Sequence, residues 1–151
     1  MPSRVIDLAD AIVVVLGTAI GTPTPPLTVE ISRVYQPEYR LETLTANLRK
    51  VTVFPSELAD RGPSSRGADG TTSTVVVVIA ERYTEAGAIP TAWMDARVAW
   101  VQEMIFNVLR NPRVRVDGAY PEAIDCMIFD CELLKQDRVF FSTVTVTLVD
   151  E

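Results

Sequence analysis

The most informative absence in this chain is histidine, which occurs nowhere among its 151 residues. Histidine is the commonest general base, proton shuttle and transition-metal ligand in proteins. Its absence excludes hydrolases built on a Ser-His-Asp or Cys-His arrangement. A phosphate-binding loop is also missing, because the glycine-bearing run Gly62–Gly67 contains no lysine and does not sit between a strand and a helix start.

Basic residues and cysteines are both scarce. The chain has 14 Lys and Arg against 20 Asp and Glu, for a net charge of −6. No basic run is present, so a surface that grips nucleic-acid phosphates is not expected. The two cysteines, Cys126 and Cys131, would point to opposite faces of a shared strand and could not form a disulfide there. We therefore predict buried free thiols.

Long hydrophobic runs are missing as well. The longest uncharged apolar stretch, Ala11 to Ile20, is too short to span a bilayer. Aspartates near the N-terminus are residues that a secretory signal avoids. We expect an intracellular product that does not contact membranes. A composition that is 48% hydrophobic fits one compact domain over residues 1–151.

Leucine and isoleucine at helical spacing predict a first helix from Arg4 to about Ala19, capped by Ser3. Its second half, Ile12–Leu16, is apolar on every side and β-branched, so a buried strand is an alternative there. If this segment is a helix, two of its faces need cover. That requirement indicates a neighbouring subunit.

Alternating patterns predict three strands in the first half of the chain: Thr28 to about Tyr35, Lys50–Phe54 and Ser73 to about Tyr83. The third contains Val75–Ile79, whose lack of polar alternation indicates a central strand covered on both faces. Its last residues, Glu81 and Arg82, are expected to return to solvent.

A loop is predicted from Ser56 to Thr72, because this segment is rich in Gly, Pro, Ser and Asp. So long a loop in a compact domain is usually functional or disordered. Its charged residues are mixed in sign, which indicates a flexible solvated segment unless a partner orders it on binding.

A second helix is predicted after Pro90, with one apolar stripe that runs as far as Asn111 and with Trp93 and Trp100 on its flank. Two strands then end the chain. The first carries Met127–Leu133, and the second follows a turn at Lys135–Arg138. The order α-β-β-β-α-β-β predicts an α+β fold, with a mainly antiparallel sheet of about five strands and both helices on one face.

The best candidate for catalysis is the pair Asp130 and Glu132, which would share one face of a strand and could hold Mg²⁺, as in some nucleases. The alternative is a solvent-exposed face, with Lys135 and Arg138 as weak partners. No third ligand is recognisable by spacing. We therefore predict no catalytic residue, no metal, no cofactor and no enzymatic activity.

The segment Arg33–Leu44, followed by Val51–Pro55, resembles small tail-completion proteins encoded among the virion genes of tailed bacteriophages. The resemblance extends to the layout of the chain and points to the tail-terminator family. It implies a hexameric ring on the end of the tail tube, which stops tube polymerisation and joins the head connector. The implied partners are other copies of the chain, the tail tube protein and the connector or neck proteins.

The same resemblance implies a location in the tail or neck of the virion, assembled in the host cytoplasm, with DNA only passing through the lumen. It makes the loop Ser56–Thr72 a candidate for docking on the tube or lining the ring. Two alternatives remain open: a neck or head-closure adaptor of the same virion, and a non-viral intracellular binding module. The candidate interface residues are Asp60, Arg61, Arg66, Asp69, Val13, Val14, Trp93 and Trp100.

Overall fold

A computed structural model describes residues 3–35, 43–60, 71–111 and 116–149, and for Asp60 it describes the backbone only. The strands are β1 (Thr28–Arg33), β2 (Leu48–Asp60), β3 (Thr71–Arg82), β4 (Tyr120–Met127) and β5 (Val139–Val149). The helices are α1 (Arg4–Ile20), α2 (Thr91–Val101), α3 (Asn107–Arg110) and α4 (Cys131–Asp137), and a π-helical segment, Gln102–Phe106, joins α2 to α3.

Helix α1 forms over the predicted range, and the strand alternative for its second half is wrong. Leu8, Ile12 and Leu16 repeat at helical spacing, and each is fully buried against the sheet. Each of these side chains stabilises the fold by roughly 1.5–3 kcal/mol. Ser3 occupies the N-cap position, but its side chain makes no capping hydrogen bond.

The five strands form one sheet in the order β1-β2-β3-β5-β4. β1 pairs with β2 in parallel, and the other three pairings are antiparallel. β3 is therefore the central strand, as its valine run predicts, and the predicted α+β fold with a mainly antiparallel sheet is confirmed. The helices cover one face of β3. On the other face, the side chain of Val76 is half-buried.

The second predicted helix is confirmed as the continuous α2, π-helical segment and α3. It buries Val101, Ile105 and Leu109 in the same core as α1, so both helices lie on one face of the sheet. The π-helical turn widens the helix in the middle of this buried stripe. Among the described helices, none is long and apolar enough to span a membrane.

The prediction of a loop over Ser56–Thr72 is wrong at both ends. β2 continues to Asp60 and β3 begins at Thr71, and the two segments pair up to Asp60 opposite Thr71. This end of the β2–β3 pair, residues 54–60 and 71–74, is called the arm below. It remains part of the sheet, because β5 pairs with β3 as far as Thr72. Residues 61–70 lie outside the described part of the chain.

The predicted strand through Leu133 is also wrong. β4 ends at Met127, and α4 occupies residues that were expected to form a strand and a turn. The Asp130 side chain accepts hydrogen bonds from the backbone N–H groups of Glu132 and Leu133, which is the geometry of a helix N-cap. Arg138, with φ of 58°, ends the helix in the left-handed conformation.

Candidate interaction surfaces

The end of the sheet below α2 holds a buried ion network. The Glu81 carboxylate accepts from Arg49 Nε at 2.6 Å and from Arg97 Nη2 at 2.7 Å. The Glu81 and Arg49 side chains are 3% and 6% exposed, so the prediction that Glu81 returns to solvent is wrong. Register is the cause, because β2 and β3 place Arg49 directly opposite Glu81 on the core face.

Both tryptophans belong to this network. The guanidinium of Arg49 lies 4.4 Å from the centre of the Trp100 ring, and that of Arg97 lies 4.2 Å from the centre of the Trp93 ring. Such stacking stabilises a desolvated cation. Trp93 and Trp100 are half-buried and pack against the core. Their predicted role at a subunit interface stays a prediction.

The network was not predicted from the sequence, although the alternation of side chains along the two strands contained evidence for it. Arg49 shares its parity in β2 with the buried Val51 and Val53, and Glu81 shares its parity in β3 with Val77 and Ile79. Charged residues at core positions of neighbouring strands indicate a buried pair. The third member, Arg97, comes from a helix and could not be placed in the same way.

The candidate metal pair is not assembled. Asp130 caps α4 and Glu132 lies in the first turn of that helix, so the two carboxylates do not share a strand face. Across the described ranges, no group of three or more His, Cys, Asp or Glu side chains could hold a metal ion. The Asp130 carboxylate is used instead to satisfy backbone donors of the helix.

The two cysteines are free thiols in different elements. Cys126 is half-buried in β4, whereas Cys131 is exposed at the start of α4, so the prediction of burial is wrong for Cys131. Burial raises the pKa of the Cys126 thiol, and a hydrogen bond with Ser142 partly opposes that increase. The Cys131 thiol is therefore more accessible to solvent than the Cys126 thiol.

A first apolar surface lies between α1 and α3. This groove of about 580 Å³, called the helix groove below, is lined by Val14, Val15, Thr18, Ala19, Glu103, Asn107, Val108 and Asn111. Val14 is 68% exposed, while the neighbouring Val13 is half-buried against the core. In the described part of the chain, the buried Oδ1 of Asn107 has no hydrogen-bond partner.

A second surface, on the arm, exposes a single large apolar side chain, that of Leu58, which is 51% exposed. Of the predicted interface residues in this region, Asp60 ends β2 and its side chain is not described. Arg61, Arg66 and Asp69 lie outside the described residues. Their proposed contacts stay predictions.

A third apolar surface lies at the end of β4, where the consecutive residues Met127, Ile128 and Phe129 are exposed. Ile128 also lines a groove of about 390 Å³ between α2 and β4. This surface, called the β4 edge patch below, consists of Ile124, Cys126, Met127, Ile128 and Phe129. Sequence reasoning assigned Met127 and Phe129 to one side of a hairpin strand and so missed the patch.

No protein-family model and no curated protein matches the chain. Solved structures do match, among them the sheath/tube terminator of an extracellular contractile injection system, PVC, in its extended state. The identity is 18% and the TM-score 0.42, and the match covers 99% of this chain and 57% of the other. This chain therefore spans little more than half the length of that protein. A match at this level does not identify a function.

Proposed function

We propose that this chain is a structural subunit of the tail-terminator type, which assembles into a ring and caps a tube without catalysing a reaction. The observation that carries the proposal is the exposure of apolar side chains at three separate places on one small protein: along the helix groove, at the single residue Leu58 of the arm and along the β4 edge patch. Monomeric proteins rarely expose several such surfaces, and exposed patches mark contacts with other proteins.

The positions of the three surfaces suit a ring subunit. In a head-to-tail ring, each subunit uses two different surfaces for its two neighbours, and further surfaces remain for the structures above and below. The helix groove lies in the helical layer, Leu58 lies on the arm, and the patch lies at the edge strand β4.

The frame that carries these surfaces is well suited to repeated assembly. A single core cluster draws on α1, on the α2–α3 helix and on strands β2, β3 and β5, which supports treating residues 1–151 as one α+β unit. The buried network of Arg49, Glu81 and Arg97 ties α2 to the end of the sheet. Contacts made by such a frame change little between free and bound states.

The ring size, its place on the tail and its partners are proposed from the resemblance at Arg33–Leu44 and Val51–Pro55. On that basis the ring is hexameric, sits on the end of a bacteriophage tail tube and joins the head connector, with DNA passing through its lumen. Its partners are the tube protein and the connector or neck proteins. We place the self-contact at Val13 and Val14 in the first helix, because Val14 is the most exposed of the large apolar side chains described.

The variant Val14→Glu tests this self-contact. Since Val14 is 68% exposed, the substitution removes little buried surface, and the variant is expected to unfold at the same temperature as the native protein. A glutamate in an apolar contact leaves a desolvated charge, so the ring-sized species is expected to disappear in sedimentation velocity.

Ala96→Glu is the matched control, because Ala96 is an exposed helical residue that lines none of the three surfaces. It is expected to assemble as the native protein does. If Val14→Glu and Ala96→Glu assemble equally well, the helix groove is not the self-contact. If no variant and no native sample forms a species larger than a dimer, the ring itself is contradicted.

A further inference from the structure

The β4 edge patch has the exposure of a contact surface. Met127, Ile128 and Phe129 are 45%, 47% and 40% exposed, and they follow one another in the chain. Ile128 and Ile124 continue into the groove beside α2, where they meet Phe106. An apolar surface with an adjoining groove offers a partner both a flat contact and a pocket for an anchoring side chain.

The surroundings of the patch are acidic. From Val116 to Leu134 the chain has no Lys or Arg, and its charged residues there are Asp117, Glu122, Asp125, Asp130 and Glu132. Of these, Asp117 is paired with Arg4. Asp125 lines the groove itself, and Asp130 and Glu132 follow Phe129 directly.

The helical side of the groove adds little positive charge. Val98, Val101, Gln102 and Phe106 line it from this side, and none of them is charged. The guanidinium of Arg110 lies 5.4 Å from the centre of the Phe106 ring, and α4 carries Lys135. Among the described residues, these two basic groups are outnumbered by the acids on and next to β4 and α4, which are Glu122, Asp125, Asp130, Glu132 and Asp137, so this surface is negative.

This charge pattern bears on which partner can bind. A second copy related by a two-fold axis would place the same acidic surroundings against themselves, which is unfavourable. A second copy in another orientation would need a basic surface. Three of the described arginines that could supply one, Arg4, Arg33 and Arg97, are already paired with acids of their own chain.

We propose that the β4 edge patch docks a different protein, whose contact segment is apolar and flanked by Lys or Arg. Burial of Ile128 and its neighbours supplies affinity, and the acids around them attract the basic flanks and reject acidic partners. The proposal does not depend on the ring, because the patch and the helix groove share no residue.

The test uses two labelled synthetic peptides that share a centre of leucine and phenylalanine, one flanked by lysines and the other by glutamates. Fluorescence anisotropy follows the binding of each peptide to the full chain. The lysine-flanked peptide is expected to bind at least about tenfold more tightly, and added salt is expected to weaken its binding by screening.

Variants of the patch separate docking from general attraction to an acidic protein. Ile128→Ser is expected to weaken binding of the lysine-flanked peptide by about tenfold, because the peptide would cover the part of the Ile128 side chain that is exposed in the free chain. Val14→Ser, a change in the helix groove, is expected to bind the peptide as the native chain does. The double variant Asp125→Lys, Glu132→Lys is expected to prefer the glutamate-flanked peptide.

Three results would overturn the proposal. Equal binding of the lysine-flanked peptide to the native chain and to Ile128→Ser would mean that the patch is not its docking surface. Equal binding of both peptides to the native chain would remove the charge argument. A loss of self-association in Ile128→Ser, measured without any peptide, would assign the patch to a second copy of this chain.

Discussion

The Glu81 carboxylate binds two arginines at the end of the sheet. Because these charges are buried, the stability of the fold is sensitive to a single substitution there. A buried carboxylate stabilises a fold only when its charge is balanced and its oxygens are hydrogen-bonded. Arg49 and Arg97 meet both conditions, and the rings of Trp100 and Trp93 cover them. Removal of the carboxylate would leave Arg49 buried and unpaired.

The first prediction compares Glu81→Gln with Asp117→Asn. Loss of the Glu81 charge is expected to lower the free energy of unfolding by about 3 kcal/mol, because a buried cation loses its partner. Asp117 pairs with Arg4 at 2.7 Å but is 56% exposed, so its neutralisation is expected to cost less than about 1 kcal/mol. Urea denaturation measures both, and equal losses would contradict the burial argument.

The second prediction concerns the two thiols. Burial raises the pKa of Cys126, so its thiol stays protonated in the native state at a pH where the unfolded chain ionises. The contribution of Cys126 to the free energy of unfolding is therefore expected to fall as the pH rises above the ordinary thiol pKa of 9.0.

The two thiols are also expected to differ in reactivity. With a thiol reagent at a pH below this value, the exposed Cys131 is expected to react first, as mass spectrometry of the labelled peptides can show. Faster labelling of Cys126 would contradict the described burial.

At the scale of elements, local signals decide which parts could be predicted. The spacing of Leu8, Ile12 and Leu16 predicts α1, and the uninterrupted run Val75–Ile79 predicts a central strand. Both follow from burial that repeats with a fixed period. The parallel pairing of β1 with β2 could not be predicted, because the pattern of one strand does not specify the direction of its neighbour.

Two elements were mispredicted for physical reasons that can be stated. The arm contains many polar residues, and its strand conformation comes from pairing between β2 and β3, which composition does not reveal. In α4, the capping signal of Asp130 competes with a strand pattern that continues from Met127 to Leu133. The helix forms in place of the strand because the Asp130 carboxylate satisfies two backbone N–H groups at the start of the helix.

The third prediction tests that cap. Asp130→Ala is expected to destabilise the protein by about 1 kcal/mol, since two backbone donors lose their acceptor. Ser3→Ala is the control, because Ser3 holds the same position at α1 without a capping hydrogen bond. Its effect on thermal unfolding is expected to be within experimental error. A loss at Ser3 as large as that at Asp130 would show that the cap is not the cause.

Across the whole molecule, an α+β frame exposes apolar side chains at three separate places: the helix groove, Leu58 of the arm and the β4 edge patch. Sequence reasoning reached the first of them, because it asked what covers the apolar second half of α1, and Val14 is indeed exposed there. It did not reach the β4 edge patch, whose exposure depends on β4 ending at Met127 rather than continuing. Surfaces of this kind depend on where elements end, which a sequence pattern defines least well.

We propose above that copies of this chain assemble into a ring, and this assembly can be tested in solution. The measurement that tests it most directly is the molar mass of the purified full chain by light scattering over a wide range of concentration, with negative-stain images of the largest species. A closed species with the mass of about six chains and a central opening in the images is expected. A monomer at every concentration, with no ring in the images, would contradict it.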